Sequence, residues 1–259
     1  MSALRIERAA DRVLRVTIAR PERRNAFDAA LIAELTEAFA GVGDARAVVL
    51  AGEGPSFCAG ADVEWQRSSV DLTYEENVAD ALRLYRMLEA IDLCPAPVVA
   101  RVQGFALGGG SGLVACADVV VASPDAVFGF TEVRLGIVPA VISPFVLGRI
   151  GSGAARRYFL TGERFGAEAA LRIGLVHEVA EELDAAVERV VADLLAAGPE
   201  AVRAAKRLIR DRPGGEAAAD VAAALRTSPE GQEGLRAFLE KRPATLPDGG
   251  AWGVFPGER

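Results

Sequence analysis

The sequence predicts an α/β fold of layered or solenoid type, with a helical segment at its C-terminal end. Three observations carry this. Short apolar, β-branched runs and amphipathic helical stretches follow one another in a strand, strand, helix order that recurs with unequal loops. Beyond Glu181 the pattern turns almost wholly helical. Hydrophobic residues make up 51% of 259 residues, ample for a large buried core. A single open doubly wound sheet fits less well, and no internal sequence repeat accompanies the recurring units. The change of pattern near residue 197 divides the chain into segments 1–197 and 198–259.

The elements follow in order. Residues 4–9 and 13–19 alternate apolar with polar side chains around Asp11-Arg12, which predicts a β-hairpin. Residues 20–25 form a polar loop. Asp28 caps a helix to about residue 40, with Leu31, Ile32, Leu35 and Phe39 on one face. Residues 46–51 read as a buried strand and 63–68 as a helical turn. Thr73 and Glu76 have the spacing of a capping box, opening a helix to about residue 91 with Val78, Leu82, Tyr85 and Leu88 as its apolar stripe. Residues 98–102, 119–122 and 127–130 read as strands. Helices are expected at 143–149, 153–160 and 167–173, then a strand-like run at 175–179. The sole histidine, His177, lies in that run and reads as a satisfied structural residue. Helices at 183–197, 199–210 and 216–226 follow. Ser228 caps a last helix, with Pro229 at its first position. Residues 243–259, rich in Pro and Gly, read as irregular.

Composition narrows the function. A net charge of −7 and a pI near 5.0 argue against a broad nucleic-acid surface, which needs clustered cations. Cations are nearly all arginine, the only lysines being Lys206 and Lys241. Cys58, Cys94 and Cys116 show no metal-ligand spacing and suit free thiols in a reducing compartment. The first residues lack the apolar core of a signal peptide, and no run reaches membrane-spanning length, so a cytoplasmic protein without metal or separate cofactor is expected.

The chemistry concentrates in residues 102–113, Val-Gln-Gly-Phe-Ala-Leu-Gly-Gly-Gly-Ser-Gly-Leu. A buried strand precedes this stretch, and a short helix is expected from about Gly112. Glycines 108, 109 and 110 at the turn let a ligand approach bare backbone. The first N–H groups of a helix have no partner within it, so such a turn can hold an anion or a developing oxyanion. The dinucleotide fingerprint fits poorly. A second stretch, Phe57-Cys-Ala-Gly-Ala-Asp62, also follows an apolar strand. Ala61 and Gly109 could each direct an N–H to one oxygen. Glu132 stands among Phe128, Phe130 and Val133. On the residues alone, two readings stand side by side: a buried acid/base with raised pKa, or a solvated loop carboxylate.

These stretches, with Arg20–Phe27, Gln103–Gly110, Phe130–Pro139, Ala155–Gly162 and Ala167–Val179, resemble the crotonase (enoyl-CoA hydratase/isomerase) superfamily across nearly the whole chain. The resemblance implies a spiral of ββα units, a C-terminal helical trimerisation module over 198–259, a homotrimer or homohexamer, and an acyl-CoA thioester substrate whose coenzyme A is part of the substrate. It implies oxyanion donors at Ala61 and Gly109 and an acid/base at Glu132. Arg24, Ala26, Ala59, Asp62, Gly108 and Gly112 fall at or beside substrate-contacting positions. Phe238 and Lys241 fall where relatives reach a neighbouring subunit's CoA; on the residues alone they are equally a packing residue and a solvated charge. Trp65 lines the acyl pocket or belongs to the core.

One departure stands out. The family's hydratases carry a second glutamate three residues after the oxyanion glycine, and here that residue is Gly112. The pattern around it is most similar to the bacterial methylglutaconyl-CoA hydratase branch, which serves leucine or branched-isoprenoid breakdown. Glycine at 112 would remove a repulsive charge and open volume for a substrate with its own distal carboxylate. Hydration through Glu132 alone is therefore expected. The alternatives are a double-bond isomerase, for which one glutamate suffices, and a non-catalytic CoA- or RNA-binding relative.

Overall fold

The computed structural model describes residues 2–246 and 250–253. A six-stranded sheet runs in the order β1 (Leu4–Arg8), β2 (Val13–Ile18), β3 (Ala47–Gly52), β4 (Val98–Val102), β6 (Val119–Ala122) and β9 (Glu178–Val179). The β1–β2 pair is the expected antiparallel hairpin, and the other neighbours are parallel. Parallel strands covered on both faces read as continuous apolar runs. Alternate residues of β3, β4 and β6 divide accordingly. Val48, Leu50, Val98, Ala100 and Val120 join the main core, whereas Val49, Val99 and Val121 pack under α7 (Leu183–Leu195) through Leu183, Val187 and Val191.

A second, smaller sheet, β5 (Phe105–Leu107), β7 (Val127–Gly129) and β8 (Arg164–Gly166), lies beside the first. Single parallel bridges, Phe27 to Ala61 and Cys58 to Ala106, extend it toward the N-terminus. Each turn of chain thus lays one strand in the large sheet, one rung in the small one, then a helix: α1 (Ala29–Ala40), α2 (Val63–Ser68) with α3 (Tyr74–Asp92), and α4 (Gly109–Cys116). This is the anticipated ββα spiral.

Caps foreseen from sequence are in place. Asp28 accepts from Leu31 N, Thr73 and Glu76 close their capping box, and Ser228 accepts from Gly231 N. His177 Nδ1 accepts from Val120 N, which makes it the structural residue expected. All three cysteines are free and buried. No helix among the described residues is long and apolar enough to cross a membrane.

Several expectations are corrected. The buried face of α3 is Asp80, Met87, Leu88 and Ile91, with Leu84 packed against the core. Val78 and Leu82 are 40% and 46% exposed, so the stripe is rotated from the one anticipated. Both stripes have helical spacing and share Leu88, and period alone does not choose between them. Helix α4 starts at Gly109 rather than Gly112, so three glycines lie inside it. Strands β5 and β8 were not foreseen; each has three residues. The two helices expected at 143–149 and 153–160 are both present: they lie within the span α5 (Ser143–Thr161), which is broken between them at Gly151, where φ is 68° and ψ 166°. Helices α6 (Ala167–Arg172), α8 (Pro199–Asp211), α9 (Gly215–Thr227) and α10 (Pro229–Glu240) match their predictions. The stretch expected to be irregular carries a two-residue ladder, β10 (Ala244–Thr245) with β11 (Ala251–Trp252); its residues 247–249 and 254–259 lie outside the described residues.

The loop before α1 is locked by one side chain. Asn25 is fully buried; its Oδ1 accepts from Arg20 N at 2.9 Å, and its Nδ2 donates to Glu53 O at 2.8 Å and Ser56 O at 2.7 Å. Asn tolerates the left-handed φ of 55° found there. Asn25→Ala strands three polar backbone groups and strains the backbone. We expect a loss of about 3 kcal/mol in chemical denaturation, with both glycine-bearing bends loosened because the loop abuts them.

Candidate active site

Two bends meet where the second and third turns of the spiral touch. At the first, the bridge to Phe27 uses the Gly60 carbonyl and the Asp62 N–H; Ala61 N–H has no acceptor among the described residues. At the second, Gly109 N–H opens α4 and likewise has no acceptor among the described residues. A Cβ added at Gly60 would stand 3.7 Å from Gly109 N. The bends line a common cavity of about 290 Å³ with Ala59, Gly108, Trp65, Phe27 and Glu132.

Glu132 begins a short 3₁₀ turn, Glu132–Leu135, just after β7. Its position is set by backbone: Gly108 N donates to Gly129 O at 2.8 Å, tying the glycine turn to the end of β7. A Cβ at Gly108 would come 3.3 Å from Glu132 Oε1, so the carboxyl packs on bare backbone. Oε2 is buried with no hydrogen-bond partner. Burial pushes the Glu132 carboxyl above the ordinary carboxylate range, with only its own backbone N–H acting against the shift. The carboxyl is thus half-buried with one oxygen enclosed, not a fully solvated loop group.

The remaining predicted residues separate into groups. Ala59 and Trp65 line the cavity, and Trp65 meets Phe27 edge-on at 6.1 Å between ring centres. Arg24 is exposed outside the lining, its guanidinium 5.6 Å from the Phe105 ring centre, while its carbonyl accepts from Ala59 N. Ala26 is buried and does not line the cavity. Asp62 is corrected to a structural role. It caps α2 through Glu64 N and pairs with Arg23 at 2.9 Å and Arg20 at 3.6 Å. Burial pushes its carboxyl up, and the hydrogen bonds from Arg23 and from Glu64 N outweigh that and hold it below the ordinary carboxylate range. Phe238, on α10, lines a separate depression with Trp252, and Lys241 caps α10; neither lines this cavity.

Gly112 is the second correction. It does not line the cavity, and it opens no volume: a Cβ there would stand 2.5 Å from Ile142 Cγ2 and 3.6 Å from Leu88 Cδ2. The space a glutamate would need is occupied by the residue preceding α5.

Sequence reasoning missed Asp80. It is 9% exposed on the inward face of α3 and lines the cavity with Asn77, Ala81 and Leu84. Its signal was present: an acidic residue at helical spacing from Leu84, Met87, Leu88 and Ile91. Leu135, Ile137, Val138 and Pro139 form an apolar wall that was also unassigned. No Lys or Arg lines the cavity among the described residues, and no group of three His, Cys, Asp or Glu is placed to hold a metal.

Unpaired backbone donors beside a buried carboxyl, on a ββα spiral, define a site for chemistry at a carbonyl. The family model for enoyl-CoA hydratase/isomerase matches residues 8–248, and the chain belongs to that family. It is similar to the enoyl-CoA hydratase structure from Shewanella pealeana, with a TM-score of 0.90 and 36% identity over 95% of this chain and 96% of that one. The Mycobacterium smegmatis enoyl-CoA hydratase structure gives a TM-score of 0.88 at 33% identity, covering 93% and 98%. The crotonyl-CoA hydratase of Syntrophomonas wolfei is 35% identical over 244 residues, 88% of this chain and 92% of its own.

Two predictions follow from this geometry. Alanine normally improves on glycine inside a helix, yet Gly112→Ala is expected to destabilise by about 1–3 kcal/mol through its clash with Ile142. The same substitution should cost less in an Ile142→Ala background, a coupling that a double-mutant denaturation cycle measures. For Glu132, both folded and unfolded chains hold the carboxyl neutral below the ordinary carboxylate range. As pH rises through the raised folded value, the buried anion weakens the fold. Glu132→Gln should therefore stabilise at neutral pH by about 1 kcal/mol, with the gain fading in acid. Thermal unfolding across pH reads both.

Proposed function

We propose that the chain adds water across the 2,3 double bond of an enoyl-CoA thioester, as a carbon–oxygen lyase. The thioester oxygen docks on the N–H groups of Ala61 and Gly109. As water adds at Cβ, the π electrons move onto that oxygen, and the two donors stabilise the enolate. Glu132 delivers a proton to Cα, and the added water gives up one of its two protons to leave the 3-hydroxyl group, so that one water is consumed overall. The observation that carries this reading is Glu132 itself: a buried carboxyl with an unpartnered oxygen, packed on Gly108 beside both free donors. Family membership and the hydratase names of relatives support it.

The cavity takes the acyl portion of the substrate, while the CoA portion is left to cations outside it, of which Arg24 is the candidate. At about 290 Å³, the space lies at the small end of ligand pockets and suits a short acyl group. No cation among the described lining residues stands ready to pair a distal carboxylate on the substrate. The methylglutaconyl reading thus loses its physical basis, because position 112 neither opens volume nor faces the substrate. We assign a short, uncharged enoyl group instead. Exposed Leu208, Ile209, Leu235, Phe238 and Leu239 on α8 and α10 support the association role assigned to residues 198–259.

A panel of thioesters tests the assignment. Crotonyl-CoA and its near homologues should be hydrated in preference to glutaconyl-type substrates, with oxygen from labelled water retained in the 3-hydroxyacyl product. Glu132→Gln should lower turnover by about 10²–10⁴-fold with acyl-CoA binding retained. Conversion of 3-enoyl to 2-enoyl thioesters without label uptake would identify an isomerase, and preference for the acidic substrates would restore the glutaconyl reading.

A further inference from the structure

Hydration moves two protons in concert with bond formation: one leaves the attacking water and one arrives at Cα. The family resemblance implies a pair of glutamates, one carboxyl for each. Here the second position is Gly112, and its outward space is filled by Ile142 Cγ2. No rearrangement of that residue's surroundings supplies the missing group. The cavity nevertheless holds a second carboxylate. Asp80 reaches it from α3, whereas Glu132 reaches it from the 3₁₀ turn after β7.

The environments of the two differ in kind. Glu132 is half-buried, with its Oε2 enclosed and no cation beside it, and this partial burial favours its neutral, proton-carrying form. Asp80 is nearly buried and forms an ion pair through Oδ1 with Arg83, one helical turn on. No protein donor among the described residues reaches its Oδ2. Asn77, one turn earlier, donates instead to the carbonyls of Leu72 and Thr73. A carboxylate anchored by one oxygen and open at the other can accept a water O–H. Paired carboxyl groups in contrasting surroundings are the usual basis for separate acid and base roles.

We infer that Asp80 is the second catalytic carboxylate, taking over the work of the glutamate absent at position 112. This rests on the hydratase reading above. Asp80 Oδ2 accepts a proton from the attacking water as its oxygen bonds to Cβ. The Cα=Cβ electron pair passes to the thioester oxygen held by Ala61 and Gly109. When the enolate collapses, Glu132 gives its proton to Cα. The product is the 3-hydroxyacyl thioester, and the proton on Asp80 returns to Glu132 through solvent, completing the cycle with one water consumed.

The test separates water activation from proton transfer at Cα. The full chain and its Asp80→Asn and Glu132→Gln variants are assayed for hydration of crotonyl-CoA. They are also assayed by NMR for exchange of the Cα protons of butyryl-CoA in deuterated water. Exchange needs the two N–H donors and Glu132 but no nucleophilic water. Asp80→Asn should lower kcat for hydration by about 100-fold with KM within about twofold and exchange within about threefold of the parent, whereas Glu132→Gln should lose both reactions. Asp80→Glu should recover part of the hydration.

Undiminished hydration by Asp80→Asn would overturn the inference and leave the hydratase reading intact. Equal loss of hydration and exchange, with an unchanged unfolding midpoint, would also overturn it. A parent protein that hydrates no 2-enoyl thioester would overturn both.

Discussion

A methyl group added at Gly110 would stand 2.1 Å from the Cys58 carbonyl oxygen, and one at Gly109 would stand 2.3 Å from Phe27 Cζ. At this junction, backbone packs directly on backbone and aromatic ring. The contact is closer than any side chain permits, and much of the site follows from it. It brings two bends from successive turns of the spiral to one cavity. It also leaves the first N–H of α4 and the Ala61 N–H without competing acceptors. Glycine is required because every other residue would force the layers apart. Asn25 and the Gly108-to-Gly129 hydrogen bond extend the same constraint on either side. One fixes the loop against the first bend, and the other fixes the strand end that presents Glu132.

Within that frame the cavity is electrostatically one-sided. Among the described residues its charged lining groups are Asp80, which is paired with Arg83, and Glu132, which has no cation beside it. Glu132 illustrates the conflict between stability and chemistry: the burial that makes it a poor anion makes it a ready acid. In the proposed function, acyl preference and proton transfer would both depend on the charges that line this one cavity.

The helical end of the chain is fastened to the sheet by charge as well as by packing. Arg46 donates to the Leu195 and Ala197 carbonyls at the end of α7. Lys206 on α8 pairs with Asp118 at 2.7 Å, and Arg203 donates to the Ala45 carbonyl. The carboxylate of Glu230, on α10, caps α8 through Glu200 N and Ala201 N. These contacts orient the apolar residues of α8 and α10 away from the core.

Much of the fold and part of the site were legible in the amino-acid order. Runs such as Val98–Val102 declare a strand covered on both sides. Asp28, Thr73 and Ser228 declare helix starts, and the two glycine-bearing stretches with Glu132 declare the chemistry. These signals act over a few residues, through hydrogen bonds and side-chain periodicity that the local chain already contains. Which face of α3 turns inward was decided elsewhere, by how α1 and α4 pack against it. That choice placed Asp80 in the cavity and Val78 outside. Ile142 occupies the space before Gly112 only because α5 folds back over α4. Residues distant in the chain meet through the packing of whole layers, and a linear pattern carries no record of that meeting. Sequence alone therefore determined two glycine-bearing bends and one carboxyl as the candidate site, and only the tertiary structure decided which carboxylates share their cavity.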